Sequence, residues 1–174
     1  MEYEKQKITN QTIHSMLAYA CNDCPYKIDL IQNEYNLLNK SVSQYSSCQD
    51  SLLKYIQDDA DKLHYSFEKY KPGMSGGYRV LLFTAYYAEP GYTDEGKPIK
   101  KVSEYDYHWW RFESDGTWSN KHGGTAINSE TEDTGITVDS KNEAISMVKI
   151  YYEDDWKKEN VQINLVGNYY IREK

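Results

Sequence analysis

The sequence predicts an α+β protein, with N-terminal helices packed on one side of a mainly antiparallel β-sheet. Three observations carry this expectation. Gly is absent before Gly73 and Pro25 is the only Pro before residue 72, whereas all 10 Gly and the other three Pro, Pro72, Pro90 and Pro98, come from residue 72 onward. Apolar residues in the first part recur at helical spacing, and in the second they form alternating or continuous aromatic and β-branched runs. At 174 residues the chain is long enough for one domain with its own core, divided into a helical part, 1–70, and a β-rich part, 71–174.

Ile13, Met16, Leu17, Ala20, Cys21 and Cys24 lie on one helical face, and Asn10 or Thr12 suits the N-cap. Pro25 then closes this helix and opens the next, because its ring disfavours helical geometry in the residue before it. Ile28, Ile31, Tyr35, Leu38, Val42 and Tyr45 follow a heptad-like spacing, and Leu52, Ile56 and Leu63 keep the phase. One continuous helix over 26–68 would offer a coiled-coil seam and a route to homo-oligomers. Two helices are favoured instead, broken at the polar run "SVSQYSSCQD", with Asp50 as the cap of "SLLKYIQ".

"GYRVLLFTAYY", residues 77–87, has the length and apolarity of a central strand, and "PGYTDEGKP" follows as a loop. "YDYHWWRF" and "TWSN" flank Ser114, Asp115 and Gly116, a hairpin signal because Gly tolerates the positive φ such turns need. "KNEAISMVKIYYEDD" fits helix or strand, and "VQINLVGNYYIR" is a final strand. Alternation along the hairpin puts Asp106, His108, Trp110 and Phe112 on one face and Tyr105, Tyr107, Trp109 and Arg111 on the other.

Composition narrows the function classes. A net charge of −7 repels phosphate backbones and anionic lipid, so direct nucleic-acid binding is not expected, whereas a basic protein partner is well matched. The N-terminus lacks an apolar leader and no stretch has the length of a membrane span, so a cytoplasmic protein is expected. Three Cys make no disulfide framework. Cys21 and Cys24 form a C-x-x-C without a second pair; His14 and Cys48 are the only additional ligands that suggest themselves, so no metal and no cofactor is expected. The 18 Tyr and four Trp suit sheet packing and recognition alike, and Tyr105, Tyr107, Trp109, Trp110, Trp118 and His122 are the candidate binding residues.

The chemistry-bearing candidates are His108 and a thiol. Cys24, next to Pro25 at the start of the second helix, has the setting that favours a thiolate, and an imidazole beside it would complete an activated nucleophile. Asp106, Asn120 or Asp139 could orient the ring.

The stretch "GGYRVLLF", "YDYHWWRFESDGTWSNKHGGTAI", "ITVDS" and "NLVGNYYI" resembles a family of small bacterial proteins with the pattern Asp-Tyr-His-Phe-Tyr-Arg, then Asp-Gly-x-Trp-Ser-His-Lys-Pro-Gly, over roughly residues 76–168. An upstream helix in that family carries Asn-Cys-Tyr-x-Tyr-Ala-Leu-Asn. The order of cysteine on a helix and histidine on a strand is similar to papain-like and NlpC-like cysteine hydrolases, and implies their layout here. Two departures bear on activity. An ungapped match of "SMLAYACND" puts Met16 at the cysteine, and "WSNKHGG" puts Asn120 at the family's histidine and His122 at its proline. Methionine forms no thiolate.

The resemblance and the charge together imply a non-catalytic, acidic, protein-binding chain of inhibitor or effector type, bacterial or phage, on a degenerate cysteine-hydrolase-like scaffold. The alternatives are an active cysteine hydrolase using Cys24 and His108 with Asn120, and a structural or assembly protein joined through its helices.

Overall fold

The computed structural model describes residues 41–62, 64–120 and 137–174. In chain order these form a 3-10 turn (Val42–Gln44), helix α1 (Tyr45–Lys62), strands β1 (Tyr65–Lys69), β2 (Gly77–Tyr92), β3 (Pro98–Phe112), β4 (Trp118–Asn120) and β5 (Thr137–Val138), helix α2 (Lys141–Trp156), and strand β6 (Gln162–Glu173). The strands make a six-stranded sheet in the order β1-β6-β2-β3-β4-β5, antiparallel throughout. The α+β class is as expected.

Helix α1 starts where the polar run breaks the apolar pattern. Ser43 N–H donates to Ser41 Oγ and Ser41 N–H to Gln44 Oε1, so local side-chain bonds hold the entry turn. Asp50 is not the cap; it lies inside α1, five residues beyond its start. Leu52, Ile56 and Ala60, four apart, bury their side chains against Phe67, Val80, Leu82, Tyr107, Trp109, Tyr169 and Ile171 on one face of the sheet. In α1 this part of the apolar stripe thus packs on the chain's own sheet, while Ile28, Ile31, Tyr35 and Leu38 of the predicted seam lie outside the described residues.

The helical part ends at Lys62, earlier than residue 70, because "YSFEK" turns out to be the edge strand β1. Phe67 is its one core residue, stacked on Tyr169 with ring centroids 4.5 Å apart. The loop predicted over "PGYTDEGKP" is shorter than expected. Strands β2 and β3 pair out to Tyr92 and Pro98, and a turn closes them in which Thr93 N–H donates to Lys97 O and Gly96 N–H to Thr93 O.

The second face of the sheet has its own helix. Ala144, Val148 and Tyr152 of α2 pack with Val161 onto Leu81, Phe83, Ala85, Trp110 and Trp118. Ser140 caps this helix, since Glu143 N–H donates to Ser140 Oγ at 3.2 Å while Glu143 Oε2 accepts from Asp139 N–H at 3.1 Å. Lys157 closes it in the left-handed region, with φ 54°. The ambiguous segment is a helix, and the sheet is covered on both faces instead of one. Gly116, with φ 89°, makes the turn between β3 and β4, where Glu113 N–H donates to Thr117 O at 2.7 Å.

Among the described residues, no helix is long and apolar enough to cross a membrane.

Candidate functional site

The alternation read from the hairpin is realised. Tyr107 and Trp109 belong to the α1-side core, and Trp110 belongs to the α2-side core, on the same face as Asp106 and His108. Strand β3 therefore carries two different polar clusters, one on each face.

On the α2 face His108 sits opposite Phe83 of β2 and is 2% exposed. Its Nε2–H donates to Asn120 Oδ1 at 3.2 Å, across from β4, where Asn120 is the cross-strand partner of Trp110. A neutral imidazole with Nε2 holding the proton keeps its acceptor at Nδ1. Tyr151 stacks on the ring with centroids 6.2 Å apart, while Trp110 and Tyr152 meet it edge-on at 6.5 and 6.1 Å. Of the three candidate orienting groups, Asn120 is the one bonded to the ring.

Asp106 serves a different partner. Its Oδ2 accepts from Tyr152 Oη–H at 2.9 Å and its Oδ1 from the Tyr107 N–H at 2.8 Å. Burial pushes the Asp106 carboxyl up to about 6, against the pull of those two hydrogen bonds, and nearby Asp155 adds to the rise. Burial, and then the charge of Asp106, raise the Tyr152 hydroxyl well above its usual value, so it stays a donor. Asp139 is exposed at the start of α2, where its N–H donates to Glu143.

On the α1 face Arg111 and Glu113 form an ion pair, Nη2 to Oε1 3.1 Å, with Nε also donating at 3.2 Å. Ser119 Oγ–H donates to the same carboxylate oxygen. Arg111 and Ser119 are fully buried and Glu113 is 2% exposed. Two opposite charges compensate one another here, which is the condition for ionised groups in an interior.

The structure redistributes the residues assigned to a binding surface. Tyr107, Trp109, Trp110 and Trp118 are all buried, so they hold the sheet to its helices and are removed from any surface. Tyr105 is half-buried against the α1-side core. Cys21, Cys24, Met16, His14 and His122 lie outside the described residues. Of the described helices, the one facing His108 is α2, which has no cysteine, because α1 covers the opposite face. Among the described residues no group of three or more His, Cys, Asp or Glu is placed to hold a metal ion.

Tyr151 and Tyr152 were missed as site residues, although the capping sequence Ser140-Lys141-Asn142-Glu143 marks a helix start that would have placed them. The approach of Tyr152 to Asp106, across 46 residues, has no local signal. Comparisons with protein-family models, with curated proteins and with solved structures give no match for this chain.

Proposed function

We propose that this chain is a non-catalytic, protein-binding protein of inhibitor or effector type, built on a cysteine-hydrolase-like scaffold whose histidine has become structural. The observation that supports this most is the enclosure of His108. With 2% exposure and three aromatic rings around it, the imidazole is part of a packed core. Met16 at the family's cysteine position agrees with this reading, and the charge of −7 favours a basic partner. Association with that partner should therefore weaken with salt.

The decisive experiment joins chemistry to stability. His108→Ala is expected to lower unfolding free energy by about 2 kcal/mol or more, as truncation of packed rings does, and no peptide or ester hydrolysis is expected from either protein. Selective alkylation of Cys24 at neutral pH, together with hydrolysis that vanishes in Cys24→Ala and in His108→Ala, would overturn the proposal.

One observation favours a second reading, an active cysteine hydrolase. The bond from His108 Nε2–H to the Asn120 side-chain carbonyl fixes the tautomer a thiol-activating imidazole needs, with the base at the other nitrogen. The same alkylation experiment decides between the two.

A further inference from the structure

We propose that a pocket at the Arg79 end of the sheet binds a small aromatic carboxylate. This goes beyond the protein-binding reading and does not depend on it, since His108 is not part of the pocket. The cavity is about 400 Å³ and is lined by Tyr70, Met74, Tyr78, Arg79, Phe112 and Tyr170, with Gly77, Glu113 and Ser114 at its margin. That volume lies in the range of small-molecule sites.

The positive charge is what asks for a ligand. Arg79 lies on β2 within an otherwise apolar run and is only partly exposed. Its guanidinium carbon sits 4.2 Å from the centroid of the Tyr70 ring, 5.3 Å from Phe112 and 5.2 Å from Trp118. Its Nε–H donates to Asn168 Oδ1 at 3.2 Å. Among the described residues it has no carboxylate partner, and its two terminal nitrogens have no protein acceptor. Stacking on a ring leaves the in-plane N–H fork of a guanidinium open, which is the geometry that takes a carboxylate by two parallel hydrogen bonds.

A second donor converges on the same space. Tyr170 Oη accepts from Gly77 N–H at 2.8 Å, so its own proton is available to an acceptor in the pocket. The carboxylate of Glu113 at the margin does not cancel the charge, because Arg111 holds it from the other face. One uncompensated cation matches a monoanion better than a phosphate dianion. The ring walls of Tyr70, Tyr78 and Phe112 suit a flat apolar body behind that anion.

The test uses the full chain, isotope-labelled for amide spectra and titrated in parallel with benzoate, with neutral benzamide and with inorganic phosphate. Benzoate should shift the Gly77 and Ser114 amides saturably, and benzamide should bind at least about tenfold more weakly, as loss of a charged hydrogen-bonded pair implies. Arg79→Gln should abolish the preference for benzoate over benzamide, Arg79→Lys should retain part of it, and Tyr170→Phe should weaken benzoate binding several-fold. Three outcomes would overturn the proposal: no saturable shift at those amides up to about 10 mM benzoate, equal binding of benzoate and benzamide, or phosphate binding in preference to both. Each is read on the unmodified protein, so a variant that fails to fold does not obscure the result.

Discussion

The two faces of β3 solve the same problem in opposite ways. On the α1 side a full positive and a full negative charge, Arg111 and Glu113, are buried together and neutralise each other within 3.1 Å. On the α2 side the polar contacts are of another kind: Asp106 accepts from a tyrosine hydroxyl and His108 bonds an amide. The first cluster sets opposite charges against each other, whereas in the second burial disfavours the charged form of the Asp106 carboxyl. The first face should therefore be sensitive to the removal of a partner, and the second to pH.

The largest effect should come from breaking the ion pair on one side only. Arg111→Met leaves the Glu113 carboxylate buried without its counter-charge and is expected to cost about 3–5 kcal/mol by urea unfolding. Adding Glu113→Leu to that variant should recover much of the loss, which a double-mutant cycle would measure. Failure of the second substitution to recover stability would show that packing, not charge, dominates this cluster.

The next effect belongs to the other face. The Asp106 carboxyl has an ordinary value of 3.8 and is raised to about 6 in the fold, so between these values the unfolded chain has lost the proton while the native one retains it. Stability therefore falls as pH rises through that window and stays lowered above it, by about 3 kcal/mol. Asp106→Asn removes this dependence, since its amide can accept from Tyr107 N–H and donate to Tyr152 Oη. Unfolding curves from pH 4 to 7 should show the variant gaining on the parent until about pH 6. A difference that stays constant with pH would mean that burial does not govern this carboxyl.

A smaller effect separates the helices themselves. Ser140→Ala removes the cap of α2 and should cost about 1 kcal/mol. Because α2 buries the face that carries Asp106, loosening it should admit water there and bring the Asp106 titration back toward 3.8, leaving the Arg111 cluster untouched. Asp154→Asn is a control at the low end, because its ion pair with Lys157 is exposed on both sides, and its removal should change stability by less than about 0.5 kcal/mol.

What was legible in the sequence is what local period encodes. Strand β2, the Asp115-Gly116 turn, the alternation of β3 and the final strand all follow from two-residue periodicity and from the φ that Gly allows. Strand β1 escaped notice because only Phe67 among its five residues reaches the core, so no alternation stands out. Helix α2 stayed ambiguous because apolar residues are spread around it, and Ile150 is 64% exposed. Which helix covers which face is set by packing between distant segments, and no spacing announces it. The same is true of the site: His108 and Asn120 lie in one hairpin and are legible there, while Tyr151 and Tyr152 reach the ring from α2.

The place of β6 in the sheet has a consequence for how the protein is made. It follows every other strand of the described residues yet lies between β1 and β2, pairing Phe67 with Ile171 and Leu81 with Asn168. During synthesis the β2–β3 hairpin can close early, because its partners are near in sequence, but β1 has no sheet to join until β6 has emerged. Pulse-labelled hydrogen exchange on the refolding chain should find β2 and β3 amides protected before those of β1; simultaneous protection would show that the sheet closes in one step. Until β6 is inserted, the edges of β1 and β2 that it will cover are open to any other strand nearby, so the sheet is most exposed to aggregation before that step.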